Sequence, residues 1–234
     1  MKKFIMLAGV LMLTISAFAQ EKVKADISAD FVSQYIWRGQ DLGHVSLQPT
    51  LGLSYKGLSL TAWGSVGLTD SQDTREIDLT LDYAIGNFHI GITDYWTDDG
   101  GDPDGRYFMY EAHRTNHVFE ANAGYDFGLL SADWYSNFAR NDGLNNDEKR
   151  AYSSYFELNA PFRLAGCDWT ATLGAVPYAT DFYHCSGFAV TTAALRAERD
   201  IRLTDHFSLP LFAQFTANPR SQHAYLVVGF TLRP

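Results

Sequence analysis

Glu76-Ile77-Asp78-Leu79-Thr80-Leu81-Asp82-Tyr83-Ala84-Ile85-Gly86-Asn87-Phe88 decides the fold. Ile77, Leu79, Leu81, Tyr83 and Ile85 alternate with Glu76, Asp78, Thr80 and Asp82, a period of two that only a strand presents as two distinct faces. Gly86-Asn87 then reads as a two-residue hairpin turn into a second strand, Phe88 to Trp96. The same pattern recurs from Ala25 to the C-terminus. Segments of about ten residues alternate apolar and polar, joined by connections that are alternately long and short, the signature of a transmembrane β-barrel. Lipid imposes it. Every backbone N–H and C=O in the bilayer must be paired, and only helices and closed barrels achieve that.

The periodicity predicts an all-β antiparallel barrel of about twelve strands. The first is expected over Ala25 to Arg38, with Ile27, Ala29, Phe31, Tyr35 and Trp37 on one face and Asp26, Ser28, Asp30, Gln34 and Arg38 on the other. The next two, Leu47 to Tyr55 and Leu58 to Leu68, turn at Lys56-Gly57. The pair Glu76 to Ile85 and Phe88 to Trp96 follows. The sixth, His117 to Phe127, turns at Gly128 into Leu129 to Ala139. Then come Tyr152 to Phe162, Trp169 to Val176, the irregular Phe188 to Leu203, Phe207 to Ala217 and Ala224 to Leu232. Connections after odd strands are expected to be long and polar, those after even strands tight. This is the usual asymmetry between outer loops and periplasmic turns. Phe230-Thr231-Leu232 resembles the terminal signal that barrel assembly machinery reads. A soluble β-sandwich or lipocalin-like barrel also alternates, and its charged face would be its outer surface.

Residues 1–19 read as a secretory signal. Lys2 and Lys3 form a basic start, Phe4 to Ile15 a short apolar run, and Ala17-Phe18-Ala19 an A-x-A cleavage site. The mature barrel domain is then 20–234. Removing Lys2 and Lys3 leaves 16 basic residues against 27 acidic ones, a net charge of −11. That balance argues against a nucleic-acid partner, which requires basic patches. No apolar run in the mature chain approaches the length of a transmembrane helix. The chain carries 13 Tyr and 5 Trp, residues that barrels place in girdles at the membrane interfaces.

Several stretches resemble the TorF-type porins, a family of small Gram-negative outer-membrane barrels. They are Tyr35-Ile36-Trp37-Arg38-Gly39, Gln48-Pro49, Gly57-Leu58, Ala62-Trp63-Gly64-Ser65, Glu76-Ile77-Asp78 and Asp94-Tyr95-Trp96, in that order over about the first hundred residues. The resemblance implies an outer-membrane porin-like protein whose substrate is generally unassigned; passive diffusion of small, cationic solutes, with outer-membrane lipid as the surroundings, is the expected function.

Candidate lumen charges are Arg38, Asp78, Asp82, Glu120, Asp133, Glu157, Arg196 and Glu198. The carboxylates outnumber the arginines, and an acidic lumen favours cations. Arg38 alone reads more simply as a structural ion pair, with Asp78 as a candidate partner. Trp63, Tyr95 and Tyr135 are expected to face inward, with Tyr155 and Phe212. Together they fill much of a small barrel, so a narrow passage and a plugged interior both remain open. The Asp98-to-Gly105 loop partly matches an EF-hand, but Gly100 stands where the first ligand belongs. No metal or other cofactor is expected. The enzyme alternative is an outer-membrane phospholipase, which needs a serine activated by an oriented histidine. His184-Cys185-Ser186-Gly187 is the nearest cluster and lacks an orienting partner. An adhesin or structural barrel is a third class. Cys167 and Cys185 are expected at opposite ends of one spanning strand and therefore unpaired.

Overall fold

A computed structural model describes residues 22–70, 73–98, 106–111, 114–205 and 207–233. The expected signal segment and the acidic loop, apart from Asp98, lie outside these. Twelve strands close into one antiparallel barrel: β1 (Lys24–Val32), β4 (Ser46–Tyr55), β5 (Leu58–Gly67), β6 (Arg75–Ile85), β7 (Phe88–Asp98), β8 (His117–Asp126), β9 (Ser131–Arg140), β10 (Ser154–Leu164), β11 (Cys167–Val176), β12 (Ala189–Arg202), β13 (Ser208–Asn218) and β14 (His223–Leu232). A two-stranded hairpin, β2 (Tyr35–Trp37) with β3 (Gln40–Gly43), lies between β1 and β4. The barrel closes where β1 pairs with β14, from Ala29 against Leu232 to Val32 against Gly229. Following paired residues from Val32 through Gly229, Phe212 and Glu198 leads to Asp168. The path runs from the last residue of β1 to the second of β11, so the strands are steeply tilted, as barrel closure requires.

The alternation seen in the sequence becomes two faces. Large apolar side chains stand exposed on the outside of every barrel strand. They include Ile27, Leu51, Leu60, Leu81, Ile90, Tyr125, Trp134, Phe162, Leu173, Leu195, Phe215 and Leu226. Inward positions are polar and mostly buried, among them Gln48, Ser65, Glu76, Asp78, Thr93, Glu120, Asp133, Thr192 and Thr216. A soluble barrel would show the reverse.

Tight turns at Lys56-Gly57, Gly86-Asn87 and Ala165-Gly166 and short connections at 127–130 and 203–207 lie at the end where β1 begins and β14 ends. The other end carries the long connections at 33–45, 99–116, 141–153 and 177–188. The expected long connection after β13 is instead only residues 219–222. Asn218 Oδ1 accepts from Ser221 N and tightens that turn.

The first expected strand is also corrected. It stops at Val32, not Arg38. There Ser33 N donates to Val228 O, and Ser33 Oγ accepts from Val228 N, which satisfies the strand end. The chain then folds back as the β2–β3 hairpin. Tyr35 and Trp37 therefore leave the face of Phe31 and pack inside the barrel.

Candidate functional site: a constriction built on Arg38

Arg38 and Gly39 form the two-residue turn of the β2–β3 hairpin, with φ of +49° and +79°. Two positive φ values at such a turn match the type I′ geometry that suits hairpins. Glycine adopts it freely, whereas arginine pays strain of order 1–2 kcal/mol. Gly39 is required on a second ground, because a Cβ there would lie 1.9 Å from Thr191 O. Asn218 Nδ2 donates to Gly39 O at 2.9 Å and fixes the tip of the hairpin to β13. Gln34 Nε2 donates to Asp41 Oδ2 and braces its base.

This placement drives the Arg38 side chain into the barrel interior. Its Nη1 and Nη2 donate to Glu120 Oε2 and Oε1 at 2.5 and 2.9 Å, a bidentate pair. Nη1 also donates to Tyr183 OH at 2.6 Å. The guanidinium carbon lies 4.4, 4.1 and 4.8 Å from the ring centroids of Trp37, Tyr135 and Tyr155. The side chains of Arg38 and Glu120 are only 7% and 1% exposed, so the ion pair is removed from water. Tyr95 OH adds a hydrogen bond to Glu120 Oε1 at 2.9 Å. The sequence-level partner for Arg38, Asp78, is replaced by Glu120 because the hairpin carries the guanidinium away from β1 and across the lumen.

Around this pair the interior is packed with rings. Trp37 meets Tyr95 at 5.8 Å, Phe182 at 6.2 Å and Tyr183 at 6.0 Å between centroids. Tyr35 packs on Trp63 at 5.5 Å and donates to Glu76 Oε2 at 2.9 Å. Tyr155 donates to Thr192 Oγ1 and sits against Gly174, where a Cβ would fall 1.7 Å from its hydroxyl. The register shift of β11 occurs at Gly174/Ala175. The 177–188 connection supplies Phe182 and Tyr183. It is closed by Thr180–Cys185 backbone hydrogen bonds and by Ser153 Oγ with Thr180 Oγ1 at 2.6 Å.

Nearer the turn end the inward charges are wetter. Arg196 Nε donates to Glu198 Oε1 at 2.5 Å, with side chains 31% and 52% exposed. The guanidinium also lies 3.7 Å from the Phe212 centroid. Asp133 is itself buried and pairs at 3.2 Å with the partly exposed His89. Glu157 accepts from Asn159, and Asp82 is partly exposed. The interior thus grades from partly exposed charged side chains at the turn end to a buried, ring-packed constriction at the loop end. All eight expected lumen charges and the aromatics Trp63, Tyr95 and Tyr135 sit on this inner surface. The structure gathers Arg38, Glu120, Tyr95 and Tyr135 into one cluster with Trp63 and Asp78 beside it and Glu157 against Tyr155, and leaves Asp82, Asp133, Arg196 and Glu198 apart from it. Tyr155, expected to face inward, completes the constriction together with Tyr35, Trp37, Tyr183 and Glu76, which sequence reasoning assigned to no site. The Arg38-Gly39 turn signal, flanked by Tyr35-Ile36-Trp37 and Gln40-Asp41-Leu42, was the local clue to the hairpin.

Two further polar clusters lie at the loop end. His117 is fully buried beneath the 106–111 segment. Its Nδ1 pairs with Asp94 Oδ1 at 2.7 Å, its Nε2 with Tyr107 O at 2.6 Å, and Tyr110 stacks on it at 4.0 Å. Both ring nitrogens are engaged, so neither is offered to a hydroxyl nucleophile. The expected His184–Ser186 cluster is an exposed turn, with His184 at φ +55°. The second cluster is His44 with Asp70 and Asp73, whose donor atoms lie within 4.8 Å of one another. Its hydrogen bond to the Asp73 carboxylate, and that carboxylate's charge, raise the His44 pKa above the ordinary histidine range. Cys167 and Cys185 are both free thiols, and burial pushes the Cys185 thiol up.

No family model matches the chain, and no curated protein matches it. Among solved structures it is similar to an outer membrane channel from Pseudomonas putida F1 at 13% identity, with a TM-score of 0.39 over 93% of this chain and 98% of that one.

Proposed function

We propose that the protein is an outer-membrane channel for small solutes, held nearly closed at its loop end by the inward-folded β2–β3 hairpin. The observation that carries this reading is the exposed apolar side chain on every barrel strand around a charged interior. Soluble monomers rarely expose contiguous apolar patches beyond a few hundred Å², whereas a lipid-facing barrel requires an unbroken band. The signal segment read at residues 1–19 supports export, and the closed barrel supports insertion by outer-membrane assembly machinery.

The Arg38–Glu120 pair acts as the latch of the constriction. Passage requires the hairpin to shift, or solute to thread beside it. Such a pore favours small permeants and low conductance. Its fixed charge is acidic, since Arg38, Arg196 and His89 already have carboxylate partners, while the partly exposed Asp82 and Glu157 have no arginine partner. A permeating cation is therefore favoured over an anion. The engaged nitrogens of His117 and the exposed His184 turn do not support the phospholipase alternative.

The test is the reversal potential of refolded mature protein in a planar bilayer across a KCl gradient. A potential of cation-selective sign supports the reading. Anion selectivity overturns the charge argument, and a silent bilayer containing folded protein overturns the channel.

A further inference from the structure

We propose that His44, Asp70 and Asp73 form a binding site for one divalent transition-metal ion of the zinc class at the loop end of the barrel. The residues come from two connections. His44 follows the gating hairpin, and Asp70 and Asp73 lie between β5 and β6. Their donor atoms already converge to within 4.8 Å, with His44 Nδ1 and Asp73 Oδ1 at 2.8 Å. A tetrahedral zinc with bonds of about 2.0–2.2 Å sets its donors roughly 3.3–3.6 Å apart, so small side-chain shifts suffice.

A second observation points to a ligand. The Asp73 side chain is 6% exposed, and its Oδ2 is buried with no hydrogen-bond partner among the described residues. A buried carboxylate oxygen without a partner is costly, and a cation beside it removes that cost. The backbone is shaped to bring this carboxylate in. A Cβ on Gly67 would fall 2.6 Å from Asp73 Cβ and 2.7 Å from Oδ2, and one on Gly43 would fall 3.2 Å from Asp73 Cγ. Glycine at both positions lets the Asp70–Asp73 turn close against the root of β3.

The ligand set selects the metal class. An imidazole nitrogen suits zinc, copper or nickel, whereas calcium and magnesium take oxygen donors alone. Neutral His44 with two carboxylates also balances a divalent charge. The ion needs an unprotonated imidazole nitrogen, so binding competes with protons. Three protein donors leave a fourth position to water, so the ion exchanges with the medium.

The test is isothermal titration of ZnCl2 into tag-free mature protein folded in detergent, with each variant's fold checked by its heat-dependent gel mobility. One ion per chain is expected. Separate His44→Ala and Asp73→Asn variants should each weaken binding at least tenfold. Asp168→Asn, which removes an exposed carboxylate paired with Arg163 at the turn end, should leave it unchanged. Absence of binding by the native protein overturns the site, as does binding that His44→Ala or Asp73→Asn leaves intact. The His44–Asp73 contact would then be an ion pair only.

Discussion

Replacing Arg38 with alanine removes the latch while leaving every barrel strand in place. The side chain makes a bidentate bond to Glu120, a further bond to Tyr183 and three cation–ring contacts inside 5 Å. Breaking a buried ion pair by deleting one partner costs about 3–5 kcal/mol, because the remaining charge stays desolvated. At 1.4 kcal/mol per tenfold, the balance between docked and undocked hairpin moves by a hundredfold or more. Relief of the positive φ at residue 38 is not available to offset this, since alanine is strained there as well. The expected result in a planar bilayer is a several-fold larger unitary conductance. In vesicles, proteinase K should cut within residues 34–43, mapped by mass spectrometry. Adding Glu120→Gln to Arg38→Ala should restore part of the protection, because the orphaned charge is gone. An Arg38→Ala protein with native conductance and an uncut hairpin would refute the latch.

Gly39→Ala should produce the same open phenotype through backbone alone, since its Cβ would fall 1.9 Å from Thr191 O at a φ of +79°. Strain of this kind costs roughly 1–3 kcal/mol, and bilayer conductance reads it. Combined Asp82→Asn and Glu157→Gln changes should shrink the cation-selective reversal potential. The native bias should itself grow as salt is lowered, because the Debye length lengthens beyond about 10 Å below 0.1 M. Alkylation of native protein near pH 7.5 should modify Cys167 well before Cys185. The latter is buried, with Sγ donating to Tyr183 O, and its thiol is pushed up so that little thiolate forms. Peptide mass spectrometry after timed iodoacetamide treatment checks the order.

The barrel was legible in the sequence because lipid and lumen impose opposite chemistry on adjacent residues. Ile77 against Asp78 and Leu81 against Asp82 leave no freedom about which face is which, and a slip of one residue would invert every strand. Strand ends and turns came from the same source, with Gly57, Gly86 and Gly128 marking reversals at positive φ. The hairpin escaped because Tyr35 and Trp37 continue the parity of Phe31, and hydropathy cannot distinguish a ring facing lipid from one packed in an occluded lumen. The pairing of Arg38 with Glu120 joins residues 82 apart, and their meeting depends on barrel closure rather than on any local pattern. His44 and Asp73 were hidden for the same reason, since they lie on different connections.

The central claim is that the apolar face meets lipid and the charged face lines the interior. Single-tryptophan proteins test it directly, one keeping only outward Trp134 and one only inward Trp63, folded into vesicles with and without brominated acyl chains. The account predicts strong quenching of Trp134 by the brominated lipid and little of Trp63. Equal quenching of both, or quenching of Trp63 alone, would contradict it.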